Sequence, residues 1–472
     1  MIRATAEKKY QQIIEKLIKL IENSTISLVE RNYEIGKIIK SSQKEFRGQM
    51  LIETLSKDLN KRYKEGYSVA SLRNMQNFYK KFRNYKELYE HAKKLDWTKN
   101  LLLLKIGDIK DTEYYLKSAL RQNWPKSKLE KNINEETFDA YIENVESENY
   151  KVKINNLAIR NYKSLVNIRL QNPSNFLVFA GPNSSGKSNV FEAVDFLIQS
   201  LKIRGKEVFD LFGGEKHVIN FAHQAEGNND FSISVECDDD ITFSLVYDGK
   251  MLQKNEPVSE KVRQRYIDSF SRIYLGGGKN KIQGLHSGDK LAFDASNLSF
   301  ILKNIIKNDE KKEDIIDYLQ LFVPGLKDID VKPDPFSGEE EIVLFEKDSK
   351  RPFKGKLISD GTYHIIALLA LLYQSDEQQF LCIEEPENGL NPKITEQFVK
   401  LFKEICRTEN HYIWLITHSQ TLVSFLKPSE LVIVDKINGN TALKQFDDND
   451  FNEQITMDEA WLNNILEGGL PW

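Results

Sequence analysis

The chain has 472 residues, 40% of them hydrophobic and 29% charged, which is the mix of a globular protein too long for one small domain. The longest apolar run, Ile365 to Tyr373, is far short of a membrane span, and the opening MIRATAEKKYQQII lacks the apolar stretch of a signal peptide, so a cytoplasmic protein without membrane contact is expected. The net charge of −4 conceals an asymmetry: 29 of the 66 Lys and Arg, but 16 of the 70 Asp and Glu, fall in residues 1–134, so a basic head precedes an acidic body. Such a head suits either nucleic acid or an acidic partner, or is simply a solvated lysine-rich surface.

Residues 1–150 read as helical. Apolar positions recur at three and four in YQQIIEKLIKLIEN, and Gly36, Gly48, Gly66 and Gly107 are expected to punctuate short helices. The acidic stretch NINEETFDAYIENVESENY is expected to link to a second domain, with boundaries at 1–135, 136–150 and 151–472. From Val152 the pattern alternates: VKINNLAIRNYKSLVNIRL and FSISVECDDDITFSLVY predict hairpins, and FLVFA a buried strand. Residues 299–320 read as helical, and FLCIEEP and YIWLITHS as buried strands each followed by a helix, which makes the second domain an α/β fold. Cys237, Cys382 and Cys406 have neither metal-ligand nor disulfide spacing, in keeping with a reducing compartment.

The strand FLVFA runs into Gly181, Pro182, Asn183, Ser184, Ser185, Gly186, Lys187, Ser188 and Asn189, which fits the G-x-x-x-x-G-K-S/T pattern. Glycines let backbone N–H groups curl round phosphate oxygens, Lys187 reaches the β- and γ-phosphates, and Ser188 is a candidate Mg²⁺ ligand. FLCIEEPENGLNP ends a strand in two carboxylates: Glu384 is suited to hold the metal and Glu385 to take a proton from attacking water. LISDGT, with Ser359 and Gly361, precedes an apolar helix, and WLITHS places His418 after a strand.

These four phrases, in this order over about residues 150–435, resemble the ABC-type ATPases of the OLD family and the RecF and SMC group. The resemblance implies that ATP with Mg²⁺ is sandwiched between two copies, with Ser359 and Gly361 of one chain on the γ-phosphate held by the other and His418 as the switch histidine. It also implies that Asn161 and Lys163, in IRNYKSL, lie near the adenine, and that Gln224 is a candidate glutamine-loop residue. In FDASNLSFIL, Ala295 stands where that family usually has glycine, and MDEAWLNNILEGGLPW resembles its C-terminal ending. Too little chain follows His418 for a Toprim nuclease domain, and the acid runs Asp238–Asp240 and Asp447–Asp450 read as solvated loops, so any nuclease is expected on a separate chain.

The head resembles the N-terminal helical domain of YhcG-type nucleases over roughly residues 10–135, with Trp97, Tyr114, Tyr115 and Trp124 at comparable places. It departs from that family at Trp97-Thr98-Lys99-Asn100, where a histidine is common. This implies a winged-helix-like recognition domain for DNA or protein, without catalysis. The expected fold class is therefore an α/β P-loop NTPase, an ABC-type ATPase head, behind an all-α, winged-helix-like domain. Three functions fit: an ATP-driven dimeric sensor or clamp on nucleic acid, DNA more than RNA, in an anti-phage module with a separate nuclease or toxin; an ATP-bound scaffold that restrains such a partner; or, least of all, a transporter ATPase subunit.

Overall fold

The computed structural model describes residues 2–42, 48–64, 66–135, 137–146, 151–203, 205–238, 241–255, 259–275, 288–347, 349, 351–354, 357–450, 455–466 and 468. The chain divides into two compact units, Met1–Tyr150 and Lys151–Trp472.

The first unit is built of α1 (Ile2–Ile21), α2 (Leu28–Ser42), α3 (Gly48–Tyr63), α4 (Val69–Phe82), α5 (Lys86–Ala92), α6 (Trp97–Leu103), α7 (Ile109–Arg121), α8 (Lys126–Asn134) and α9 (Thr137–Glu146). Its described residues hold no strand, so the winged-helix likeness rests on helices alone. Helix α4 starts where Ser68 accepts a hydrogen bond from the Ser71 N–H at 3.1 Å, as a serine N-cap should. Leu17, Ile35, Ile39, Leu55 and Leu72 are fully or nearly fully buried at the centre of this bundle.

Gly36 does not punctuate a helix; it lies inside α2, buried against α4. A Cβ there would stand 2.0 Å from the carbonyl oxygen of Met75, so only glycine allows the two backbones to approach this closely. Helix propensity alone favours alanine by about 1 kcal/mol. The steric clash outweighs that, and we expect Gly36→Ala to destabilise this unit by about 2–3 kcal/mol, read as a downward shift of its denaturant midpoint by circular dichroism. The segment expected as a linker also differs. Thr137–Glu146 is a helix because Phe138 is buried, Tyr114 stacks on Tyr141, and the Phe138 N–H donates to the Tyr115 hydroxyl at 3.2 Å.

The second unit carries β1 (Ile154–Tyr162), β2 (Leu165–Gln171), β3 (Phe176–Ala180), β4 (Phe231–Cys237), β5 (Thr242–Tyr247), β6 (Leu252–Asn255), β7 (Phe270–Tyr274), β8 (Leu326–Pro333), β9 (Glu340–Glu346), β10 (Phe353–Lys354), β11 (Phe380–Glu384), β12 (Tyr412–Thr417), β13 (Leu431–Ile437) and β14 (Asn440–Gln445). Its helices are α10 (Lys187–Lys202), α11 (Val208–Leu211), α12 (Glu215–Val218), α13 (Phe221–Ala225), α14 (Glu260–Ser269), α15 (Leu298–Ile305), α16 (Asp309–Phe322), α17 (Asp360–Tyr373), α18 (Pro392–Thr408), α19 (Gln420–Val423) and α20 (Met457–Leu462). Among the described residues the strands form three sheets, ordered β2-β1-β4-β5-β6, β10-β9-β8 and β14-β13-β3-β12-β11-β7.

The third sheet positions the site. Strands β13, β3, β12, β11 and β7 are parallel, and β3, β11 and β12 are buried along their whole length, which is why they are continuous apolar runs without alternation. Helix α17 is buried from Ile365 to Leu372, and Trp461 of α20 is fully buried in the same core. Both predicted hairpins are present, β1–β2 and β4–β5. Asp239 and Asp240, and the last residues of the C-terminal ending, lie outside the described residues; Asp238 accepts from Asn155 at 2.7 Å, and Asp448 accepts from the Ser429 N–H at 3.0 Å. No helix among the described residues is long and apolar enough to cross a membrane.

Candidate active site

The carboxyl ends of β3, β11 and β12 lie side by side, because these strands are hydrogen-bonded neighbours in parallel register. The loop after β3 turns through left-handed residues at Ser184 (φ 62°) and Gly186 (φ 104°), a path that aims successive N–H groups inward at the start of α10. Pro182, Asn183 and Ser184 form the outer part of this loop, with Asn183 and Ser184 exposed. Two glycines are fixed by contact as well as by backbone angle. A Cβ on Gly181 would sit 2.0 Å from the Val434 carbonyl oxygen, and one on Gly186 would sit 2.0 Å from Thr441 Oγ1 and 2.7 Å from Ser164 Oγ.

The loop has an outer wall that the motif does not show. Thr441 Oγ1 donates to the Ser185 carbonyl at 2.7 Å and is paired with Ser164 Oγ at 2.7 Å, while Asn189 Nδ2 donates to Ser164 Oγ at 2.8 Å. Asn189 therefore braces the β1–β2 turn. In that turn Lys163 is ion-paired with Glu192, and on β1 the Asn161 amide faces His223 Nε2 at 3.1 Å. Both side chains proposed for the adenine thus face protein partners. Gln224 donates to the carbonyls of Lys216 and Ile219 at 3.0 and 2.8 Å, which binds it to α12.

Lys187 is buried, and its amine donates to the carbonyls of Gly181 and Pro182 at 2.9 and 2.8 Å. Burial pushes its pKa down to about 8, against the attraction of Glu385 and Glu384. Ser188 Oγ donates to Glu384 Oε2 at 2.7 Å, so the two residues read as metal ligands are already in contact. Hydroxyl and carboxylate oxygens are the hard donor set that Mg²⁺ takes, and the pair fits that ion.

Glu385 follows the end of β11 in a left-handed conformation (φ 51°), an uncommon and strained state for a non-glycine residue. Asn388 Nδ2 holds its Oε2 at 2.6 Å, and its Oε1 lies 4.0 Å from His418 Nε2. Burial and the nearby Lys187 lower the His418 pKa, with Glu385 acting the other way, so the imidazole stays neutral near pH 7. Burial raises the Glu387 pKa, against the hydrogen bond it takes from Thr417. Lys187, Ser188, Glu384, Glu385 and His418 converge on one place.

Ser359 and Gly361 sit at the start of α17. Ser359 is the exposed N-cap, accepting from the Thr362 N–H at 3.3 Å. A Cβ on Gly361 would stand 2.6 Å from the Gly389 carbonyl oxygen, and His364 Nδ1 contacts the Asn388 carbonyl at 2.7 Å. The signature segment is thus packed on the ENGL loop of its own chain. Ala295 has φ 55°, which accounts for a glycine preference there; its methyl is fully buried, and that packing offsets the strain.

One residue of the site escaped the sequence reading. Arg272, on β7, is buried and donates through Nε and Nη2 to Glu384 Oε1 at 2.8 and 2.6 Å. Its only signal is a single charge inside the apolar run FSRIYL, which a buried strand tolerates only with a partner.

Comparison with known proteins agrees with this architecture. Residues 9–140 match the DUF1016 N-terminal domain, and residues 176–424 match the family described as "AAA domain, putative AbiEii toxin, Type IV TA system". No curated protein matches the chain. Similar solved structures include the SMC head domain from Thermotoga maritima (18% identity, 62% of this chain and 99% of that one, TM-score 0.37). An SmcHead bound to the C-winged helix domain of ScpA gives 17% identity, 62% and 97% coverage and a TM-score of 0.39. The Smc head with an extended coiled coil bound to the C-terminal domain of ScpA from Pyrococcus furiosus gives 14% identity, 67% and 99% coverage and a TM-score of 0.43. The α/β P-loop ATPase fold and the helical N-terminal domain expected from the motifs are both shown. The second family spans more than half of the chain, and the chain belongs to it: an AAA, ABC-like ATPase-domain protein of the AbiEii-toxin-like group, carrying a DUF1016 N-terminal domain.

Proposed function

We propose that the chain binds and hydrolyses ATP with Mg²⁺ as a dimer that closes on two nucleotides and acts as a sensor or clamp on nucleic acid. The observation that carries this reading is the convergence of Lys187, Ser188, Glu384, Glu385 and His418 at the ends of three adjacent parallel strands. The Lys187 amine and the N–H groups of the loop offer their hydrogen bonds to the phosphates. Ser188 and Glu384 would hold Mg²⁺, which would supply neutralisation of the phosphate charge. Glu385 takes the proton of the attacking water, with Asn388 fixing one carboxylate oxygen so that the other faces the reaction. His418, neutral, hydrogen-bonds the γ-phosphate. Ser359, exposed at a helix N-terminus, is free to meet the phosphate held by a second copy.

The basic head supplies the nucleic-acid contact. Lys61 and Lys64 are exposed at the end of α3, Arg73 and Lys80 along α4, and Arg83 at its C-terminal cap. Lys81 instead donates to the Ile106 carbonyl, and Arg62 pairs with Glu22, so both are already engaged. Of the aromatics available for a protein-docking surface, Tyr67 and Phe78 are buried in the core, which leaves Tyr79 and weakens that alternative. Titration of the whole chain with duplex DNA at two salt concentrations tests this. Five phosphate contacts predict a log–log slope of about −4 to −5; a salt-independent affinity, or none at low salt, would sink the nucleic-acid role.

The family description, which names a toxin of a toxin–antitoxin system, is in keeping with an anti-phage or toxin-type module, in which a separate nuclease or toxin acts as effector. It favours a second reading as well, an ATP-bound scaffold that restrains a toxin with little turnover. A fixed-stoichiometry protein copurifying with the chain, in place of nucleic acid, would select that reading.

A further inference from the structure

Buried ion pairs are costly unless both partners are held and hydrogen-bonded, so a buried arginine on a strand beside the site calls for an account. Arg272 spends two N–H groups on one oxygen of Glu384, at 2.8 and 2.6 Å. That leaves the other oxygen to accept from Ser188 at 2.7 Å. The guanidinium lies 5.0 Å from the centroid of the Phe293 ring, and Nη1 is 3.8 Å from Asp195 of α10. Three elements therefore fix its orientation: β7, α10 and the segment that carries Phe293. Many P-loop ATPases have aspartate at the position of Glu384; glutamate adds one methylene and one rotatable bond, and needs something to decide which oxygen faces the metal-binding hydroxyl.

We propose that Arg272 is a positioning residue of the ATPase site: by clamping Oε1 it turns Oε2 of Glu384 to Ser188 and so preorganises the pair for Mg²⁺. The assignment rests on the ATP reading given above. Its consequence is specific. Arg272 bonds to Glu384, the carboxylate on the metal side of the site, so its loss should act on the magnesium requirement and spare nucleotide binding without magnesium. Partners of this kind typically change metal affinity by about 10- to 100-fold.

The test uses the full chain and a fluorescent ATP analogue. Affinity is measured in EDTA and then over a magnesium titration, with a thermal melt to confirm folding. Arg272→Lys keeps the positive charge that Glu384 requires in a buried place but lacks the planar pair of N–H groups. It should raise the magnesium midpoint about tenfold and leave affinity in EDTA within about twofold. Phe293→Leu, which leaves the ion pair intact but removes the ring beneath the guanidinium, should move the midpoint the same way by about threefold. A magnesium midpoint unchanged in both folded variants would overturn the assignment of Arg272. Equal losses with and without magnesium would overturn it too, since they mark a merely structural arginine. Failure of the unsubstituted chain to bind the analogue under either condition would instead overturn the ATP reading, and this inference with it.

Discussion

Lys187→Ala is expected to lose ATP binding by at least about a hundredfold, the size of two charge-assisted hydrogen bonds to phosphate. The side chain is buried, and the charged groups acting on it are the carboxylates Glu385 and Glu384, which cannot take its place beside a phosphate. Fluorescent-nucleotide titration checks the loss, and binding by the variant at wild-type strength would move the phosphate site away from this loop. The same lysine predicts a pH dependence. Its pKa is pushed down to about 8 by burial, while bound phosphate favours the charged form. Below pH 8 the amine is already charged and affinity is flat. As pH rises through 8, binding must take up a proton and affinity falls, approaching tenfold per pH unit. Calorimetry at pH 9 in two buffers of different ionisation enthalpy should show the proton uptake.

Glu385→Gln is expected to bind ATP normally and to turn it over at least about a hundredfold more slowly, within the usual contribution of a general base. Glutamine keeps the hydrogen bond with Asn388 and the left-handed backbone, so loss of the base is separated from loss of the site. The trapped ATP state should then run as a dimer on size-exclusion chromatography. Ser359→Arg is the right companion, since Ser359 is exposed; it should bind one nucleotide per chain and not hydrolyse it. Gly361 is unsuitable for this purpose, because any side chain there meets the Gly389 carbonyl of the same chain. Wild-type turnover by Glu385→Gln would move the base to Glu384 or Glu387. Both are already engaged, Glu384 by Arg272 and Ser188 and Glu387 by Thr417.

What was readable in the sequence is what chemistry compresses into short stretches. The loop from Gly181 to Asn189, the carboxylates after FLCI and the histidine after YIWLIT each need a strand and its next few residues, and each is found where its local pattern puts it. Contacts between distant segments were not readable. Arg272 meets Glu384 across 112 residues, and Thr441 closes the loop at Ser185 across 256. No periodicity announces either pairing. Gly36 shows a different limit. A glycine that breaks a helix and one that lets two helices touch look alike until the neighbour, here Met75, is known. The segment Thr137–Glu146 shows a third: its acidic composition suggests a tether, while Phe138 and Tyr141 supply the packing that makes it a helix.

The contacts around the ENGL loop carry a consequence for cooperativity. His364 of α17 grips the carbonyl of Asn388, and the amide of Asn388 holds Glu385. In the proposed dimer, α17 faces the neighbour's nucleotide, whereas Glu385 serves the chain's own. A relay of two hydrogen bonds thus joins α17, the helix that Ser359 caps, to Glu385. Reciprocity of coupling then requires that whatever one nucleotide does to the other's affinity is returned in equal measure. The two ATP molecules would be sensed as a pair, and the enzyme would count to two before it fires.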